Sequence, residues 1–94
     1  MRVIGVEALD AFCRRHVDVD QQVRAWVAEA KQARWRKPMD IKGRYPYARF
    51  LKGDRVVFNL KGNKYRLLVR VGYESQIVRV QEIGTHAEYD TWNL

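Results

Sequence analysis

Residues Val56–Ile83 read VVFNLKGNKYRLLVRVGYESQIVRVQEI, and the folding of this stretch decides the rest. Val56–Leu60 and Lys64–Val71 alternate apolar with polar, and Lys61-Gly62-Asn63 lies between them. Gly-Asn is a dipeptide that closes two-residue hairpins. A Gly62-Asn63 loop sets Lys61 opposite Lys64, Asn59 opposite Arg66 and Val57 opposite Leu68. It also sets Leu60 against Tyr65, Phe58 against Leu67 and Val56 against Val69, with Tyr65, Leu67, Val69 and Val71 buried. Side chains alternate between faces with period two, so this register makes one face wholly apolar. The other carries Asn59, Lys61, Lys64, Arg66 and Arg70.

A second turn at Gly72-Tyr73-Glu74-Ser75 returns a third strand over Gln76–Ile83. It puts Val78 and Val80 in the core and Arg79 and Gln81 on the polar face. Arg66 then stands on the middle strand between Asn59 and Gln81. Antiparallel sheets commonly solvate one face, and cations are ordinary there. Two features favour more than solvation: the cations gather on the middle strand, and the chain runs on into Gly84-Thr85-His86-Ala87-Glu88-Tyr89-Asp90.

The chain has 94 residues, enough for one domain, 1–94, with a modest core. Eighteen Lys and Arg against 11 Asp and Glu leave a net charge of +7. That excess is spread along the chain, which points to a folded basic surface and a polyanionic partner, nucleic acid before membrane. The lone Cys13 sits at a helical core spacing and reads as a small apolar residue of a reducing compartment. Met1–Phe12 is interrupted by Arg2, Glu7 and Asp10, unlike a signal peptide, and no apolar run nears membrane-spanning length. The expected location is the cytoplasm.

Met1–Ile4 can supply an edge strand. Leu9, Phe12, Cys13 and His16 then follow helical spacing, with His16 at the helix end. Asp18…Gln21 has the spacing of a capping box for a second helix reaching about Arg34, whose apolar face is Val23, Trp26, Val27, Ala30 and Ala33. Lys31, Arg34, Arg36 and Lys37 suit the negative end of that helix and add a basic rim. Pro38, Gly43 and Pro46 make residues 37–48 an irregular connector, with Met39, Ile41, Tyr45 and Tyr47 available to pin it to the core. Arg49–Leu51 begins a strand, and a helical turn is expected around Ala87–Asp90. The fold class is α+β, N-terminal helices packed on an antiparallel sheet in two layers.

No phosphate-cradling glycine loop occurs, and one Cys with two distant His residues makes no zinc set. His86 with Glu88 and Asp90 could hold a divalent ion, but the basic sheet opposes that; no metal or cofactor is expected. A phosphodiester site built from cations and one imidazole is what the residues support. RNA brings its own nucleophile, the 2′-OH, so cleavage needs a proton-transfer group, cations for the phosphorane charge and a surface that orients the backbone. His86 suits the first role, since imidazole titrates near neutral pH. Arg66 has the fork for the second. Asn59 can hydrogen-bond phosphate or hold the guanidinium, and Tyr89 can stack on a base or donate a hydrogen bond. Lys61, Lys64, Arg70 and Arg79 are candidate RNA contacts. The rival reading is a non-catalytic RNA- or ribosome-binding module using the same cationic face.

Val57-Phe58-Asn59-Leu60-Lys61-Gly62-Asn63-Lys64-Tyr65-Arg66-Leu67 and Gly84–Asp90, with Asp40-Ile41-Lys42 and the Pro46…Ala48 spacing, resemble the HigB-type toxins of bacterial type II toxin–antitoxin systems, a branch of the RelE superfamily. The resemblance covers essentially the whole chain. It implies a RelE-like fold and a ribosome-dependent mRNA interferase acting in the ribosomal A site; metal-independent cleavage is expected from the missing ligand set. It also implies a HigA-like helix-turn-helix antitoxin, through which alone operator DNA would be contacted. Arg66 matches the arginine that assists cleavage, His86 the catalytic position after the last strand, and Tyr89 or Trp92 the tail aromatic. Leu60-Lys61 departs from the usual isoleucine or valine followed by glycine. Val57 and Asn59 stand where RelE itself carries a lysine pair, so proton transfer would rest on His86.

Overall fold

A computed structural model describes all residues, Met1–Leu94. The elements in order are β1 (Arg2–Ile4), α1 (Val6–Arg15), a 3₁₀ turn over Val17–Val19, α2 (Asp20–Gln32), α3 (Pro38–Arg44), β2 (Arg49–Leu51), β3 (Arg55–Leu60), β4 (Tyr65–Gly72), β5 (Ile77–Thr85) and α4 (His86–Tyr89). The helices and sheet form an α+β domain. The five strands lie in the order β1-β5-β4-β3-β2. The sheet is mixed rather than wholly antiparallel, because β1 runs parallel to β5 at one edge. The three helices α1, α2 and α3 between β1 and the meander allow that crossover. No helix is long and apolar enough to cross a membrane.

The central hairpin has the register that alternation predicts: Asn59 lies opposite Arg66, Phe58 opposite Leu67 and Val56 opposite Val69. Tyr65, Leu67, Val69 and Val71 are buried on the helix side, where Leu9, Phe12, Val23, Trp26 and Ile41 pack against them. Apolar burial at roughly 25 cal/mol per Å² is what holds the two layers together. Cys13 is buried in the same core. The loop is longer than the dipeptide suggests. Strand pairing stops at Leu60 and Tyr65, Lys61 takes a left-handed φ of 51° and Gly62 one of 66°. A tertiary bond supports Lys61 there, since its amide donates to Gln22 Oε1 at 2.6 Å.

The second turn departs further from expectation. Gly72 pairs with Ile77, so four residues, Tyr73–Gln76, make the turn, and Gln76 adopts a φ of 60°. Its side-chain amide donates to Trp35 O at 2.8 Å and Tyr73 O at 2.7 Å, which holds that conformation. A bulge follows: Val69 pairs with Val80 but Leu68 with Glu82, leaving Gln81 extra. The residue facing Arg66 is therefore Gly84, not Gln81, and β5 runs on to Thr85. Bulges re-aim the chain beyond them. This one delivers His86 to the end of the middle strand.

Residues 37–48 are not irregular throughout. Pro38 opens α3 instead of merely ending α2, because the first helical position needs no amide hydrogen. Asp40 Oδ2 accepts from the amides of Arg36 (2.9 Å) and Lys37 (3.3 Å), closing the helix start. Ile41 is buried and Tyr45 packs on the core, whereas Met39 and Tyr47 stand in solvent. The α2 helix ends at Gln32, two residues early, with Ala33 extended after it. The capping box read from Asp18…Gln21 is absent. Asp18 instead accepts from Lys64 Nζ and the Tyr65 hydroxyl, both at 2.7 Å. His16 ends α1 and stacks on Phe12, with ring centres 4.3 Å apart.

Candidate active site

The face of the sheet away from the helices is crossed by the C-terminal segment. Thr85 caps α4: its Oγ1 accepts from the Glu88 amide, and Glu88 Oε1 accepts from the Thr85 amide at 2.8 Å. Those bonds hold the Glu88 carboxyl below the usual carboxylate range. Glu88 is thereby committed to the cap. The His86 amide donates to Lys64 O at 2.9 Å, tying this turn to the central hairpin. Gly84 lets the tail fold back. A Cβ there would lie 3.0 Å from Trp92 Cζ2 and 3.1 Å from Glu88 Cβ.

Under this segment lies Arg66. It is only 8% exposed, yet it points away from the core. Its Nη1 donates to Asn63 O at 2.6 Å, and its guanidinium sits 5.0 Å from the centre of the Tyr89 ring. A cation over an aromatic face is held by the ring quadrupole. Nε and Nη2 make no hydrogen bond within the chain, and neither is sealed from solvent. Tyr89 also accepts from Arg49 Nη1 at 2.7 Å, which leaves its own hydroxyl proton free to donate. Its ring lies 6.4 Å from that of His86 and 5.5 Å from that of Trp92. Tyr89 therefore joins two arginines and the imidazole; Trp92 packs on Gly84 instead. The half-exposed His86 ring has Nδ1 3.6 Å from Asp90 Oδ2, one helical turn on.

The sequence-predicted residues thus divide. His86, Arg66, Asn59 and Tyr89 share this face, with Asn59 Nδ2 at 3.4 Å from Asn63 Oδ1 beside Arg66. Arg70 and Arg79 stand further along it, directly across from each other, and Arg55 is opposite Arg70 on the other side. Three like charges in a row repel. Asp54 lines the same shallow cleft as Arg70 and Arg79, but no ion pair joins it to either. Lys61 and Lys64 lie elsewhere, toward the helices. Lys64 is paired with Asp18, whose hydrogen bond pushes the lysine pKa up. Lys61 borders a cleft with Asp18 and Gln22. The left-handed Lys61 and Gly62 turn the chain off the strand at the loop, and Asp18 draws Lys64 to the helix side.

Sequence reasoning missed Arg49 and the place of Asp90 beside the imidazole. Nothing local marks Arg49: it meets Tyr89 across 40 positions through the β2–β3 pairing. The carboxylate four residues after His86 was legible as an i, i+4 neighbour. The front face also holds buried apolar residues, Val57 and Leu68, outside the main core.

Residues 19–92 match the family described as HigB_toxin, the RelE-like toxic component of a toxin–antitoxin system. The chain is also similar to the mRNA interferase toxin HigB of Escherichia coli (strain K12) and to the proteins named mRNA interferase HigB in Escherichia coli O157:H7 and Shigella flexneri. Each is 36% identical over 58 residues, 60% of this chain and 56% of the relative. The chain spans little more than half the length of the curated relatives it matches.

Proposed function

The chain belongs to the family of HigB-type, RelE-like toxins, and from that premise we propose that it is an endoribonuclease that stops translation by cutting mRNA in the ribosomal A site. The names of its relatives support the reaction class. The observation that carries it is the meeting of Arg66, Tyr89, Arg49 and His86 on one solvent-facing surface.

The chemistry is transesterification. A base takes the proton of the 2′-OH, and its oxygen attacks the adjacent phosphorus in line. The P–O5′ bond breaks, and the leaving 5′-oxygen takes up a proton. The products are a 2′,3′-cyclic phosphate and a 5′-hydroxyl, and no metal is needed to make the nucleophile. His86 is the general acid or base, oriented by Asp90. Arg66 stabilises the phosphorane with the guanidinium nitrogens that have no partner in the chain, and Arg49 brings a second cation through Tyr89. Burial makes Arg66 more effective, since a charge held among carbonyl and ring needs little reorganisation as the phosphorane forms. Arg70 and Arg79 hold phosphates further along the strand. A HigA-like antitoxin with a helix-turn-helix domain silences the toxin by covering this face or by keeping it off the ribosome.

End-group analysis of message cut in a purified translation system tests the reaction. The 5′ fragment should end in a 2′,3′-cyclic or 3′-phosphate, and naked RNA should stay largely intact. A 3′-hydroxyl would mean that activated water is the nucleophile and would overturn this mechanism.

A further inference from the structure

Beside the cluster of arginines lies a cleft of about 430 Å³ that the proposed chemistry does not use. Tyr45, Tyr47 and Ala48 form one wall, and Asn59, Gly62 and Asn63 the other. It exists because β2 is too short. Arg49–Leu51 pairs only with Arg55–Val57, so Phe58–Leu60 of β3 has no neighbour on that side. Successive residues of a strand turn their N–H and C=O groups to alternate sides. At least one residue of those three therefore offers its amide and carbonyl to the cleft.

We propose that this cleft is a nucleobase subsite, which seats one unstacked base of the message next to the phosphate being cut. The inference rests on the reading of the chain as an RNA-cutting toxin. Three observations favour a base. Tyr47 is 82% exposed on the cleft wall, an unusual place for an aromatic that no partner covers. Aromatic rings stack on splayed bases of single-stranded RNA. Second, Asn59 Oδ1 and Asn63 Nδ2 have no partner in the chain, and their one mutual contact is long at 3.4 Å. An acceptor and a donor side by side can pair with the edge of a base. Third, the cleft is continuous with the cleavage site. Asn63 supplies the carbonyl that holds Arg66, and Ala48 precedes Arg49. A peptide strand added at the β3 edge is the competing occupant. The open window is three residues long, walled by Tyr45–Ala48 and ended by the Lys61–Lys64 loop, which leaves no length for a ladder.

The test compares wild type with Tyr47→Ala, Tyr47→Phe and Asn63→Ala on ribosomes carrying messages that differ at each position around the cut. Tyr47→Ala should lower kcat/KM roughly 10-fold or more, the scale of one lost base–aromatic stack. It should also flatten the preference for one nucleotide flanking the cut, and Tyr47→Phe should restore both. Asn63→Ala should blur the same preference with a smaller loss of rate. In parallel, 5′-mononucleotides should shift the NMR signals of the Tyr47 ring and the Asn59 and Asn63 amides. Unchanged kcat/KM and cutting pattern in Tyr47→Ala overturn the subsite and leave the ribonuclease standing. Unchanged cutting with lost antitoxin neutralisation also overturns it, in favour of a protein contact. If wild type cuts nothing, the parent reading fails, and the mononucleotide titration alone decides the cleft: no shifts, no subsite.

Discussion

The cations on the two sides of this sheet are treated differently. Three cations on the helix side have a carboxylate: Arg24 pairs with Asp10 and Asp20, Arg44 with Glu29 at 2.5 Å, and Lys64 with Asp18. On the front face Arg49, Arg66, Arg70 and Arg79 have none within ion-pair reach. Arg66 and Arg49 are held there by a backbone carbonyl, a ring and a hydroxyl. Neutral partners position a guanidinium without cancelling its field. The helix side cancels part of its charge in internal pairs, whereas these front arginines keep their positive potential. Net charge alone says nothing of this division.

The comparison breaks first at the front face, where catalysis is proposed. His86→Ala should cut the cleavage rate at saturating ribosomes by ~10²–10⁴, the usual worth of a positioned proton-transfer group. Arg66→Ala should cost ~10²–10³, as for other lost charge-stabilising donors. Arg66→Lys should recover only part, since an ammonium lacks the fork that meets both phosphate and ring. A His86→Ala protein with wild-type melting temperature and near-wild-type cutting would leave the front face as a binding surface only.

Salt sharpens the contrast at a smaller scale. Affinity for ribosomes should fall steeply with ionic strength, and Arg70→Ala or Arg79→Ala should each flatten the log–log slope by about one unit. Arg24→Ala, at a cation already paired with two carboxylates, should leave the slope unchanged. Equal slopes in all three variants would mean that pairing does not decide which cations meet the partner.

Acid addresses the helix side, with the smallest effect. Hydrogen bonds from Lys64 and Tyr65 hold the Asp18 carboxyl at about 2, against an ordinary 3.8. A depressed folded pKa contributes stability above the ordinary value and loses it as pH falls through the folded one. The Asp18 contribution is therefore whole above about pH 4 and drains toward pH 2. Asp18→Asn should melt below wild type at pH 7, and the gap should close as the pH falls through that window. Equal melting temperatures at pH 7 would show the Asp18–Lys64–Tyr65 cluster to be without stabilising effect.

Period-two alternation from Val56 to Val71 was enough to pair Asn59 with Arg66, bury Leu67 and Val69, and turn Arg66 away from the core. Helical spacing likewise marked Leu9, Phe12, Cys13, Val23 and Trp26 as core. These features obey rules that act within a few residues and are enforced by apolar burial, so the sequence alone determines them. Tertiary structure decided the rest. A four-residue turn pinned by Gln76 and the bulge at Gln81 shifted β5, so Gly84 faces Arg66 and His86 reaches Lys64. The β2–β3 pairing brought Arg49 to Tyr89, and Asp18 drew Lys64 to the helix side. Charged side chains on long stems can meet any partner within reach, at little difference in free energy. Which partner each one meets is settled only when distant segments are brought together.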